Sequence, residues 1–418
     1  MQTVKPSLPD RRPWDRVELP MAPFSGVVPM TTLPLLVLAV VVLLVTPAAA
    51  AYPSAAIGGS RLSLTRYTRM FAFGNSLTDT GNGAIFPLTA GGTFMQPPYG
   101  ETYFGYPNGR ASDGRLVIDF LAKQLKVPLP TPYLAGTTAA DFLNGTNFAV
   151  GGATALDPAF LANLGIQTAV PISFSNETSW FDNVLRLLST SGYEQRRIMA
   201  RSVFFVGEMG FNDYTIALVT KPVDDVASLV PHVIGTIRSA LTAMIGAGAR
   251  TVVVTGMLPI GCEPSQLALF PGEPDDYDTA SGCNTGLNKL AEQHNRALRR
   301  MLWDVGLRYP GRSLLYADMY SPVMALVTSP ATNGFGDTPL AACCGGGDNP
   351  NNFDYAYFCG TPLSTSCADP SKYVSWDGIH YTEAAYKFIA DSMLKGLLSV
   401  QERAGSQQAS GDEKLATI

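Results

Sequence analysis

Phe71-Ala72-Phe73-Gly74-Asn75-Ser76-Leu77-Thr78-Asp79-Thr80-Gly81-Asn82 is the stretch whose reading decides the fold. The run from Arg69 to Phe73 reads as a short buried strand that enters a tight glycine turn, with one serine where the chain reverses. At the carboxyl end of a parallel strand, such a turn holds a serine Oγ clear of the sheet edge, as a nucleophile requires. Taken alone, Gly-Asn-Ser is ordinary turn chemistry, because Gly and Asn tolerate positive φ and Ser bonds its own backbone. The partners of an activated serine must come from elsewhere in the chain.

Further strands are expected at Phe148 to Ala153, Ser202 to Val206, Thr251 to Thr255 and Leu314 to Asp318. Between them lie helical patterns at 116–125, Trp180 to Leu188, Arg196 to Met199, Val226 to Ala247, Asn284 to Val305 and about 321–329. Apolar runs without alternation, separated by helices, predict a five-stranded parallel sheet covered on both faces. The Gly-, Pro- and aromatic-rich stretch from Gly81 to Gly114 reads as a long ordered loop over the sheet edge. Asn333 to Ser375 reads as a disulfide-held cap, and Trp376 to Glu383 opens a closing helix, Ala384 to Val400. With no repeat and no internal linker, residues 64–400 read as one domain, preceded by a leader (52–63) and followed by a polar tail (401–418).

Of the 418 residues 46% are hydrophobic and 15% charged, with a formal net charge of −5. No basic cluster lies outside the extreme N-terminus, which argues against nucleic acid as a partner. Residues 1–51 read as a targeting segment: Lys5, Arg11, Arg12 and Arg16 precede the apolar run Leu33 to Val45, and four alanines precede Tyr52. Cleavage there leaves no stable membrane span. The alternative is an uncleaved signal anchor, since the run approaches the ~20 residues that cross a bilayer. A start at Met21 or Met30 also fits. In either case the body lies on the lumenal side, where the sequons at Asn144 and Asn176 are glycosylation acceptors. The six cysteines suit that compartment. Cys262 is expected to pair with Cys283, and Cys343, Cys344, Cys359 and Cys367 to cross-pair as two clamps, because adjacent cysteines do not readily bond each other. No C-x-x-C spacing suggests a metal.

Serine needs a base, and the base needs an orienting carboxylate. Of three histidines, His232 and His294 lie within helical patterns, whereas His380 follows Asp377 by three residues in a glycine-containing turn. One loop can therefore present both side chains, or the same residues can simply cap the helix that follows. Gly151 and Asn212 sit at expected strand ends, where a backbone N–H and a side-chain amide can stabilise an oxyanion.

Gly74 to Asn82, Asn147 to Ala153, Gly210-Phe211-Asn212-Asp213 and Asp377-Gly378-Ile379-His380 stand in the order of the four blocks of the GDSL (SGNH) hydrolases. The chain resembles their plant esterase/lipase branch, also at 100–105, 109–115, Ala153 to Asp157 and Cys343-Cys344-Gly345. The likeness runs over residues 66–396. It implies a three-layer α/β/α sandwich of flavodoxin-like order, with Ser76 as nucleophile, His380 as base and acid, and Asp377 orienting it. It implies an oxyanion hole of the Ser76 N–H, the Gly151 N–H and the Asn212 amide, with Gly152 replacing Gly151 if the block slips by one. No metal or cofactor is expected. The implied activity is hydrolysis of an acyl or acetyl ester of a small molecule or polysaccharide, in the cell wall or, for an anchored protein, the Golgi lumen. Acyl transfer by the same serine and a non-catalytic glycan- or lipid-binding homologue are the alternatives. Asn75 departs from the family's usual Asp and removes a negative charge beside the nucleophile.

Overall fold

The computed structural model describes Leu62 and residues 67–398; the expectations for the targeting segment, the polar tail and nearly all of the leader lie outside these residues. Six strands form one sheet: β1 (Arg69–Phe73), β2 (Thr131–Pro132), β3 (Gly145–Asn147), β4 (Ser202–Val206), β5 (Thr251–Thr255) and β6 (Ser313–Ala317). Their order is β2-β3-β1-β4-β5-β6, and every pairing is parallel. Setting aside the two-residue edge strand β2, this is the flavodoxin-like order. Its topological switch point lies beside β1, where ligand crevices form in open parallel sheets. Every residue of β4 and β5 is buried, as expected of strands covered on both faces.

Helices Phe174–Leu188, Val230–Gly246 and Thr285–Arg308 pack side by side on one face of the sheet. Phe71 and Phe73 project from β1 onto Phe181, with ring centroids 5.6 and 5.9 Å apart, and Phe73 also meets Phe148 at 4.9 Å. Such pairs add about 0.5–1.5 kcal/mol each beyond their area burial. This aromatic cluster fixes the strand that runs into the Ser76 turn.

The differences from expectation have local causes. The second strand is Gly145–Asn147, not Phe148 to Ala153. Phe148, Ala149 and Val150 are apolar because they are buried, and they follow β1 by only two bonds, Phe148 N–H to Ala72 O and Val150 N–H to Gly74 O. The sixth strand, β2, contains Pro132 and is too short to leave a pattern, and proline is tolerated because it lies at the edge. The expected 226–247 helix is two, Val223–Ala227 and Val230–Gly246, the second carrying Pro231 in its first turn, where a missing N–H costs nothing. Ser173 and Asn176 cap a helix that begins two turns before its apolar pattern does.

All six cysteines are paired: Cys262 with Cys283, Cys343 with Cys367 and Cys344 with Cys359, the last pair nested within the second. The cap they hold includes the hairpin of β7 (Cys344–Gly345) with β8 (Thr365–Ser366). Cys343 and Cys344 donate their N–H groups to Ser375 O and Trp376 O at 3.1 and 2.7 Å, so the clamped cap lies along the two residues before Asp377. Replacing both Cys344 and Cys359 by alanine should cost about 3 kcal/mol for the 15-residue closure. Denaturant unfolding should show that loss together with reduced turnover. A variant as stable as the parent would mean that the cap's hydrogen bonds suffice alone.

Candidate active site

β1 ends at Phe73, and the next residue, Gly74, has φ +145°, a conformation other residues rarely adopt. Its N–H donates to Glu177 Oε2 at 2.9 Å. Asn75 O then accepts the N–H groups of Thr78 and Asp79 at 3.0 and 2.9 Å, closing a turn around Ser76. The Asn75 side chain works in both directions: Oδ1 accepts the Leu77 N–H at 3.0 Å and Nδ2 donates to Glu208 Oε2 at 2.8 Å. Ser76 itself is partly exposed, while every neighbour from Phe71 to Gly83 is buried.

Ser76 Oγ lies 2.7 Å from His380 Nε2, and His380 Nδ1 lies 2.7 Å from Asp377 Oδ2. A carboxylate only accepts, so Nδ1 carries the imidazole proton and Nε2 is left to accept from the serine hydroxyl. Asp377 is fully buried. Its Oδ1 accepts the N–H groups of Ile379 and His380 at 3.0 and 2.8 Å, and its Oδ2 accepts the Tyr99 hydroxyl at 2.7 Å. Burial pushes the Asp377 carboxyl up, but the His380 charge and the hydrogen bonds from His380 and Tyr99 outweigh it and leave the group below the usual aspartate range. Burial and the Asp377 charge drive the Tyr99 phenol well above its ordinary value, so it remains a donor. Gly378 makes the loop possible: its φ is +92°, and a Cβ there would fall 2.3 Å from the Phe353 ring. His232 is exposed, and buried His294 bonds Tyr214 with a pKa lowered by burial to about 3.

The expected oxyanion donors are placed unequally. No hydrogen bond engages the Ser76 N–H among the described residues. Gly151 lies against the serine, since a Cβ on it would fall 3.7 Å from Ser76 Cβ. Its N–H, however, donates to Asp79 Oδ2 at 2.8 Å, whereas the Gly152 N–H makes no hydrogen bond among the described residues. Asn212 gives one amide hydrogen to Ala153 O at 2.8 Å and keeps the other. Asp213 holds the same turn through the Ala155 and Leu156 N–H groups, and burial raises its pKa to about 7. Of the two sequons, Asn144 is exposed, whereas Asn176 Oδ1 accepts the Ser173 N–H at 2.9 Å in the first turn of a helix.

A profile of the family described as GDSL-like Lipase/Acylhydrolase matches residues 70–393. The chain is similar to three Arabidopsis thaliana proteins. GDSL esterase/lipase At1g28600 is 40% identical, over 81% of this chain and 87% of its own length. GDSL esterase/lipase At1g28590 is 42% identical over 81% and 84%, and GDSL esterase/lipase At1g28580 is 40% identical over 84% and 91%. The chain belongs to the GDSL-like lipase/acylhydrolase family. It is a serine ester hydrolase of the GDSL type.

Sequence reasoning did not single out Tyr99, Asp79, Glu177 or Glu208. Tyr99 was one aromatic in a loop full of them, and nothing local to it signals a partner at Asp377. Asp79 and Glu208 carried a signal that was available, since each stands in a glycine-containing stretch at the end of an expected buried strand, whereas Glu177 lay in a polar stretch read as a sequon. Glu208 bears directly on Asn75. Both of its oxygens accept, from Asn75 Nδ2 and from the Phe211 N–H. Burial nevertheless raises its pKa to about 8.

Two measurements follow from this geometry. Tyr99→Phe removes one of the donors that keep Asp377 low, so the acid limb of the pH–rate profile should move upward and kcat should fall about tenfold or more with little change in KM. An unmoved profile would make Tyr99 a packing residue only. The folded Glu208 holds its proton up to about 8 against an ordinary value of 4.5, so this group's contribution to stability falls as pH rises between those values. Asn75→Asp replaces its amide donor with a second carboxyl and should steepen that fall. Thermal midpoints should be close to the parent's at pH 5 and several degrees lower at pH 8, and equal differences at both values would refute the pairing.

Proposed function

We propose that this chain hydrolyses carboxylic esters outside the cytosol, with Ser76 as nucleophile, His380 as general base and acid, and Asp377 holding the imidazole. The observation that carries the reading is the continuous hydrogen-bonded line Ser76–His380–Asp377, built from two segments 304 residues apart. Three disulfides that use all six cysteines support an oxidising compartment.

Ser76 Oγ attacks the ester carbonyl as its proton passes to His380 Nε2. The carbonyl oxygen takes the charge, within reach of the free Ser76 N–H and the free Asn212 amide hydrogen. The Gly151 N–H contributes as a donor shared with Asp79, or the unengaged Gly152 N–H takes its place. Collapse of the intermediate breaks the bond to the alkoxy oxygen, which leaves with the proton from His380. Water then attacks the acyl-enzyme, gives a proton to His380, and the acid departs as Ser76 Oγ recovers it. The substrate class this supports is an acyl or acetyl ester of a small molecule or polysaccharide.

Ser76→Ala should lower kcat on p-nitrophenyl acetate by about 10⁵- to 10⁶-fold, and a fluorophosphonate should label the parent but not the variant. Retained turnover or labelling in Ser76→Ala would remove Ser76 from the mechanism.

A further inference from the structure

A cleft of about 250 Å³, separated from Ser76 by Gly151, opens between the short helix Asn82–Ile85 and the turn Thr93–Met95. Gly151 forms part of its lining, and Gly151 is the residue that lies against Ser76. Phe94 forms a wall and also packs edge-on to His380, with centroids 5.3 Å apart and planes at 90°. The cleft is therefore separated from the imidazole by one aromatic ring and meets the site on the oxyanion side.

No charged side chain lines the cleft. The Thr89 hydroxyl is turned away to donate to Gly83 O at 2.6 Å, and only Thr93 presents a side-chain hydroxyl without an internal bond. A sugar would need several polar partners here, and an alkyl chain needs none. The backbone that frames the cleft is closely packed: a Cβ on Gly83 would fall 2.9 Å from Asp79 Oδ2, and one on Gly92 would fall 2.9 Å from Thr89 O.

We propose that the cleft walled by Ala84, Leu88, Thr93, Phe94 and Met95 is an acyl-binding site for a short, unbranched, apolar acyl group. This rests on the ester hydrolysis proposed above. The leaving alcohol must sit where His380 Nε2 can protonate it. With the carbonyl oxygen facing the Ser76 N–H and the Asn212 amide and the alcohol facing His380, the acyl carbons take the remaining direction, past Gly151 toward the cleft. The volume lies below the ~300–1,000 Å³ that drug-sized ligands fill, which suits roughly four to eight carbons.

The test compares p-nitrophenyl esters from acetyl to dodecanoyl with a second series, alkyl acetates from methyl to octyl. The value of kcat/KM should rise about tenfold or more from acetyl to an optimum between butyryl and octanoyl, then fall at dodecanoyl, with a flat alcohol series. Met95→Ala should move the optimum to longer acyl groups, and Thr93→Phe, which narrows the cleft without breaking an internal hydrogen bond, should move it to shorter ones. A length dependence confined to the alcohol series would overturn the assignment. So would active enzyme whose acyl optimum neither variant moves. No hydrolysis of any ester, together with no phosphonate label on Ser76, would instead overturn the esterase reading and the acyl site with it.

Discussion

At the carboxyl edge of a parallel sheet the hydrogen-bond ladder stops, and the turns that leave it carry N–H groups that must find acceptors without water. In this protein buried carboxyl groups supply them. Asp79 accepts from the N–H groups of Gly81, Asn82, Gly83 and Gly151, which ties the nucleophile turn to the turn after β3. Glu177 accepts from Gly74, Glu208 from Phe211, Asp213 from Ala155 and Leu156, and Asp377 from Ile379 and His380. Each turn that brings a residue to the site is thus held by an acid anchored in another segment or in the same loop.

The same arrangement separates one acid from the rest. For Asp79, Glu177, Glu208 and Asp213, burial is the largest influence and raises the pKa despite the backbone donors. Only Asp377 among these is held below its ordinary value, because it alone faces an imidazole and a phenol as well as backbone N–H groups. In the proposed mechanism, a carboxylate that remains charged beside His380 stabilises the imidazolium formed when Ser76 gives up its proton. Acids that hold turns need only accept hydrogen bonds, whereas the acid behind the base must stay ionised, and the structure gives these two tasks different surroundings.

Most of this was legible in the sequence where burial and periodicity coincide. β1, β4 and β5 match their expected runs residue for residue, because strands covered on both faces are apolar without interruption. The rule failed at Phe148 to Val150, where the same composition reflects a buried loop, and at Gly145–Asn147, where a real strand carries a glycine and a buried asparagine. Gly145 is fixed there by contact: a Cβ on it would fall 1.9 Å from Met70 O. Asn147 is fixed by bonds from its Nδ2 to Thr78 O and Thr80 Oγ1 at 2.7 and 2.9 Å. Asp377 and His380 stood out by their three-residue spacing and Ser76 by the order of the four blocks, and the folded chain brings the three within hydrogen-bond distance. Tyr99 was not, because its partner lies 278 residues away and only the folded chain brings them together.

The departure at Asn75 follows from the same constraint. An aspartate at that position would place its carboxyl against Glu208, and two buried carboxyls at hydrogen-bond distance can persist only by sharing a proton. Asparagine removes that requirement. Its amide donates to Glu208 whether or not the acid is ionised, while its carbonyl oxygen still accepts the Leu77 N–H that shapes the turn. The charge lost beside Ser76 is therefore not one that the Ser76–His380–Asp377 line draws on, since Asp377 is stabilised by Tyr99 and by its own loop. What changes is the coupling between the nucleophile turn and the protonation of Glu208, a property of the turn's rigidity across pH and not of the attacking group.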